Sequence, residues 1–273
     1  MMVVLLLTIF FVFGLIIGSF LNVVIYRLNT SRSLGGRSAC MSCQHKLSWY
    51  ELIPLFSYLG LGGRCRNCKT KISSQYILVE LVTGLIFGVL FLKFQEVLFL
   101  SPLAFTVTYL YYVTAFSLLL IIAVYDIKHK IIPDKLVLIF GILAFIGLFF
   151  FTSNDFSYIY NFNLHVPTLW DFLSGIFVAS PFAIFWLISG GRWMGLGDAK
   201  LALGIGWLLG VSIALSSLAI AFWSGAIIGV TLIILFKNSK TRRLQMKSEI
   251  PFAPFLVLGV FLAFIFDLKL FGF

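Results

Sequence analysis

Charge is what this chain has least of: only 11% of its 273 residues are Asp, Glu, Lys or Arg, against about 25% in soluble domains. With 61% hydrophobic residues and 31 Phe, that scarcity excludes a soluble globular protein, and a mean hydropathy of +1.07 puts most of the chain in lipid. Disorder, collagen-like repeats and a secreted disulfide scaffold are excluded with it. No charge precedes the first apolar run, where Met1, Met2 and Val3 stand, so the run does not read as a cleavable secretory signal. No basic stripe interleaved with aromatics is present to hold a polynucleotide. The net charge of +10 therefore points to membrane lipid as the partner and not to nucleic acid. No internal repeat or low-complexity segment stands out.

What is abundant is apolar length. Runs at 3–25, 76–92, 103–125, 135–152, 169–189 and 251–272 approach the roughly 20 residues a crossing needs. The 36-residue stretch 201–236 is too long for one span and predicts two short ones with a turn near Ser216 or Ser217. The expected fold is all-α, a polytopic membrane protein of about eight helices. Basic residues mark the cytosolic loops. With 27–75 inside, alternation brings 18 of the 20 Lys and Arg to the cytosolic side and leaves Lys93 and Lys269 outside. Both termini are then extracytoplasmic. The 27–75 loop is the one sizeable polar region and is too small to be held by a hydrophobic core alone.

That loop carries all four cysteines, as Cys40 and Cys43, then Cys65 and Cys68. Two CxxC pairs at this separation match a four-Cys zinc site, in which each pair chelates one side of a tetrahedral ion. Disulfides fit poorly with a cytosolic loop, and a redox dithiol would need only one pair. Four thiolate ligands leave no open position, so the expected zinc is structural. His45 beside the first pair reads as a solvated loop residue.

There are ten acidic residues in all. Asp126 ends the third apolar run and Asp198 follows Gly195, Leu196 and Gly197 at the mouth of the sixth, both on the expected cytosolic edge. Two carboxylates meeting there share a proton and serve as general acid and base on one water, the chemistry of aspartic peptide hydrolysis. The glycines would let the backbone open and approach an extended substrate. The alternative is that both Asp solvate helix ends at the interface. Asp134 after Pro133 reads as the N-cap of the next helix, His129 as a surface residue, and Glu80 as either a dipole partner or part of a polar site. Glu51 is assigned to the loop with no chemical role.

These residues resemble a known family. Gly18-Ser19-Phe20-Leu21-Asn22, Tyr26-Arg27, the two CxxC pairs around Trp49-Tyr50-Glu51-Leu52-Ile53-Pro54, Asp126 through Asp134, and Gly195-Leu196-Gly197-Asp198-Ala199-Lys200 stand in the order found in bacterial type IV prepilin peptidases. The resemblance implies a multi-pass enzyme of the bacterial cytoplasmic membrane that removes the basic leader of prepilins or pseudopilins, with Asp126 and Asp198 as the catalytic pair. It also implies N-methylation of the new amino terminus from S-adenosylmethionine, at a donor site the sequence does not locate. The expected division is a first helix at 1–26, the zinc loop as methyltransferase part at 27–75, and the peptidase at 76–273. A peptidase without methyl transfer is the nearer alternative. From other classes, a proton- or ion-coupled transporter would place paired acids at the midplane, and a non-enzymatic assembly protein would leave the GxGD element without a use.

Overall fold

A computed structural model describes residues 1–30, 33, 35–151, 166–192, 194–236 and 251–271. Among them regular structure is helical throughout, apart from two isolated bridges in the loop, Ala39 to Lys46 and Arg64 to Lys71. The chain divides into two compact units, Met1–Glu96 and Val97–Phe273. Five helices are long and apolar enough to cross a membrane, so this is a multi-pass membrane protein.

The first unit is built on α1, Met2–Arg27, and α3, Gln75–Leu100, whose last residues pass into the second unit. Between them lies the loop, with a 3-10 turn at Trp49–Leu52 and the short helix α2, Phe56–Gly60. Gly14 and Gly18 of α1 form a small-xxx-small stripe, the pattern that lets membrane helices approach backbone to backbone. A Cβ on Gly18 would lie 2.8 Å from Glu80 Cα, and one on Gly14 2.8 Å from Phe87 Cβ. Gly18→Leu is therefore expected to separate α1 from α3, read as a loss of thermal stability in detergent.

The second unit starts with α4, Pro102–His129. Ser101 caps it by accepting the Ala104 N–H at 3.4 Å, and Pro102 sits in the first turn, where its missing donor costs nothing. It ends where Lys130 turns left-handed and returns its N–H to Asp126 O. Then come α5, Asp134–Gly147, α6, Leu169–Ser189, α7, Leu196–Phe236, and α8, Ala253–Ile265. α7 packs against α5, α6 and α8, and Phe140, Phe182, Leu201 and Ile205 are fully buried.

Two sequence expectations change here. The break in 201–236 falls at Gly210, with φ 71 and ψ 168, a backbone that glycine alone adopts readily. Ser216 and Ser217 instead lie within continuous helix, fully buried, their hydroxyls donating to Ser212 O and Ala214 O. The apolar run 135–152 yields a helix of 14 residues, and 251–272 one of 13. At about 1.5 Å per residue each is near 20 Å long, short of a hydrocarbon core of about 30 Å. Among the described residues five helices are of membrane length and others are shorter and apolar, and the count of eight spans is not settled by them. The 152–165 and 237–250 segments, with the expected basic cluster Lys237 to Lys247, lie outside the described residues.

Candidate functional site

The four cysteines meet. Their sulfurs all lie within 4.8 Å of one another, with Cys40 and Cys68 Sγ 3.7 Å apart. Tetrahedral zinc with bonds of about 2.3 Å requires sulfurs about 3.8 Å apart, so the donor set fits the ion. The two halves of the cluster repeat one another at a 25-residue offset that composition does not reveal. In one, Cys40 N–H donates to His45 O and Gln44 N–H to Cys40 O; in the other, Cys65 N–H donates to Thr70 O and Lys69 N–H to Cys65 O. Gln44 and Lys69 both carry a φ of 57.

Electrostatics in the cluster favours a cation. Backbone N–H groups of Cys43 and then Ser42 draw the Cys40 thiol below its ordinary value. The Thr70 hydroxyl, 3.2 Å from Cys68 Sγ, and the Thr70 N–H hold that thiol down to about 6. Cys43 is pushed up to about 11, against the pull of the His45 N–H, by desolvation and the neighbouring thiols. Four sulfurs this close cannot all ionise without a positive charge between them, which a divalent ion supplies. His45 is exposed and outside the cluster, as expected.

Beside the cluster, within the same unit, opens a cavity of about 770 Å³ lined from α1 by Ser19, Asn22 and Tyr26, from the loop by Glu51 and Tyr58, and from α3 by Tyr76 and Glu80. Glu80 is buried and accepts the Leu55 N–H at 2.9 Å. Leu55 carries a φ of 59 that a non-glycine residue adopts only at a cost. Glu51 is also buried, its Oε2 accepting the Ser48 N–H at 2.7 Å. The sequence reading missed Glu51 as a site residue because an acid in a polar loop is usually solvated. Asn22 has no legible role in the sequence because a lone amide in an apolar helix carries no distinctive spacing. A volume in the range of organic-ligand pockets, with acceptors for ligand N–H groups and carboxylates for a cationic centre, fits S-adenosylmethionine.

In the second unit, Asp126 and Asp198 are 5% and 8% exposed and close enough for their charges to interact. The last turns of α4 position Asp126, whose Oδ2 accepts the Ala253 N–H at 3.3 Å from the first turn of α8. That N–H is one of the donors a helix start leaves unpaired, and the positive end of α8 favours a carboxylate there. Asp198 stands in the first turn of α7, its N–H donating to Gly195 O at 3.3 Å. Its Oδ1 is buried and has no hydrogen-bond partner among the described residues. Such an orphan oxygen is costly unless a proton, water or substrate satisfies it.

The surrounding segment explains one glycine and corrects one expectation. A Cβ on Gly197 would fall 2.8 Å from Ile132 Cβ, so the missing side chain lets the 130–133 segment lie against Asp198's turn. Around Gly195 the nearest atoms to a Cβ would be 3.9 Å away, so space is left open there. Asp134 is not the N-cap: Pro133 holds that place, no side-chain cap bond forms, and Asp134 is the first residue of α5. Its Oδ1 pairs with Lys200 Nζ at 2.6 Å, with side chains 74% and 46% exposed. An exposed pair of this kind contributes about 0–1 kcal/mol, so Asp134→Asn is expected to change neither thermal stability beyond that range nor activity at Asp126 and Asp198 more than a few-fold. His129 is exposed and lies against the Tyr125 ring at 4.4 Å.

Comparison with known proteins follows the same two units. The bacterial peptidase A24 N-terminal domain matches residues 12–94, and the type IV leader peptidase family matches 113–230. A prepilin leader peptidase/N-methyltransferase of Myxococcus xanthus is 35% identical over 247 residues, covering 88% of this chain and 67% of the relative. One from Pseudomonas aeruginosa is 33% identical over 284 residues, covering 92% and 87%. One from Bacillus subtilis is 32% identical over 261 residues, covering 95% and 94%. No solved structure matches the chain.

Proposed function

The chain belongs to the type IV leader peptidase family, and from that membership we propose that it removes the leader of prepilins or pseudopilins at the cytosolic face of the bacterial inner membrane and then N-methylates the exposed amino terminus. The observation that carries the peptidase reading is the buried pair Asp126 and Asp198, one with an oxygen engaged by Ala253 and the other with an oxygen unpartnered. Asp126, fixed as an acceptor, takes a proton from a water whose oxygen adds to the scissile carbonyl carbon. Asp198 Oδ1 carries the shared proton and delivers it to the departing nitrogen as the C–N bond breaks. Water is divided between the two products, and the pair recovers its one proton from Asp126.

The open space at Gly195 supports passage of an extended segment beside Asp198. The 27–75 loop holds structural zinc on Cys40, Cys43, Cys65 and Cys68 in this reading, and residues 76–273 carry the peptidase. Both termini are extracytoplasmic. Bound S-adenosylmethionine would supply an electrophilic methyl group for the exposed amine.

The deciding experiment incubates the purified full chain with a prepilin and S-adenosylmethionine and reads both products by mass spectrometry. Loss of the leader with an added methyl is the expected result. A leader removed without methylation would reduce the protein to a peptidase, and an intact prepilin would overturn the reading.

A further inference from the structure

The donor site is the part of this reading that the sequence left without residues. The cavity in the first unit has a floor of helix residues beneath its loop walls. Asn22 is 1% exposed, and its Nδ2 donates to Tyr76 O at 3.1 Å and Gly18 O at 3.3 Å. Both partners are carbonyls, which accept only, so the amide orientation is fixed by chemistry. Its Oδ1 is thereby turned away from them, buried and without a partner among the described residues. A buried acceptor left in this way is costly unless a water or a ligand N–H satisfies it.

Next to it, Glu80 is locked by the Leu55 N–H and by the Ser19 hydroxyl. Four basic residues border the cavity, Arg27, Arg37, Arg66 and Lys71, and two of them are committed: Arg27 Nη1 donates to Ser33 O and Gly35 O at 2.7 Å each, and Arg66 Nη1 donates to the Tyr50 hydroxyl while stacking over its ring. Glu80 and Glu51 are the two carboxylates that border the cavity. The Tyr26 and Tyr76 rings stack at 4.9 Å and 10° along one side, a flat aromatic surface. A ligand with N–H donors, a cationic centre and an aromatic ring fits the acceptor, the carboxylates and the aromatic pair together, whereas a plain hydrocarbon does not.

We propose that this cavity is the methyl-donor site, with Asn22 Oδ1 accepting a ligand N–H, Glu80 facing the donor's positive charge, and the Tyr26–Tyr76 pair bordering its purine. The assignment rests on the N-methyltransferase reading and deepens it: the donor is held by residues of α1 and α3, outside the cysteine loop. Cys40 and Cys65 also border the cavity, which ties its shape to the zinc cluster.

The test is equilibrium dialysis of tritiated S-adenosylmethionine against the full-length protein in detergent. Glu80→Gln keeps an acceptor for Leu55 while removing the charge, and Asn22→Leu removes the free acceptor. Each is expected to weaken donor binding about tenfold or more, with zinc content still one per chain as the check on the fold. A photoactivatable azido-adenine analogue on the unaltered protein gives a readout independent of folding, with label expected in the peptides holding Tyr26 or Tyr76. Label confined to other peptides, or unchanged affinity in both variants, would overturn the donor-site assignment. A wild-type protein that neither binds the donor nor methylates would instead remove the methyl-transfer reading on which it rests.

Discussion

Asp198→Asn is expected to slow leader cleavage by about 10²–10⁴-fold, the range a positioned acid or base supplies, and Asp126→Asn by a comparable factor. In the proposed mechanism the two carboxyls share one proton, and an amide at either position neither takes a proton from water nor donates one to the leaving nitrogen. The double variant should be little worse than either single one, because two groups acting on one water act as a unit. Stability in detergent is expected not to fall, since each substitution removes one of two facing carboxylates and keeps an acceptor, which at position 126 still serves the Ala253 N–H. Initial cleavage rates on a prepilin, followed by gel or mass spectrometry, check this. Normal processing by Asp126→Asn would move the base elsewhere, and Asp134 is a poor replacement because it is exposed and paired with Lys200.

Removing the zinc should have the largest structural effect. The 36–73 region has little core of its own: Glu51, Gly63 and Cys65 are its buried residues, while Trp49, Phe56 and Leu59 are 66–77% exposed. Structural zinc contributes about 10–16 kcal/mol of apparent binding free energy in small domains at neutral pH, far more than the loop's packing can replace. Cys65→Ser is expected to lower zinc from one per chain to near none and to open 36–73 to limited proteolysis. Chelation of the unaltered protein should do the same. Metal loss should increase as pH falls through and below about 6, the Cys68 value, because each thiolate must take up a proton to release the ion. Metal analysis that finds no zinc in the purified wild type, or a loop that resists protease without it, would contradict the assignment.

Some of this was legible before any coordinates. The CxxC pairs declare themselves by spacing, because two cysteines three positions apart on a tight turn chelate wherever the turn forms. The two aspartates stood out because acids are so few. Where the reading slipped, the cause was a rule about solvent preference applied to a question of backbone shape. Ser216 and Ser217 look like a turn in an apolar stretch, yet a serine hydroxyl can bond its own helix's carbonyls, and Gly210 made the break. The phenylalanines at 149–151 extend the apolar run beyond α5, yet the chain there already makes tight turns, which hydropathy does not register. The stripe at Gly14 and Gly18 was visible but carried no meaning until its partner helix was known.

What the sequence alone determined was membership of the membrane, the four-sulfur metal chemistry and the short roster of acids, since composition and local spacing act within a few residues of one another. Only tertiary structure decided which polar groups meet: Asp126 with Ala253, Asp134 with Lys200, Asn22 with Tyr76, Glu80 with Leu55. Those encounters join positions 25 to 127 residues apart. They depend on how helices pack against one another, and the free energy that sets that packing is spread over many apolar contacts that no single motif records.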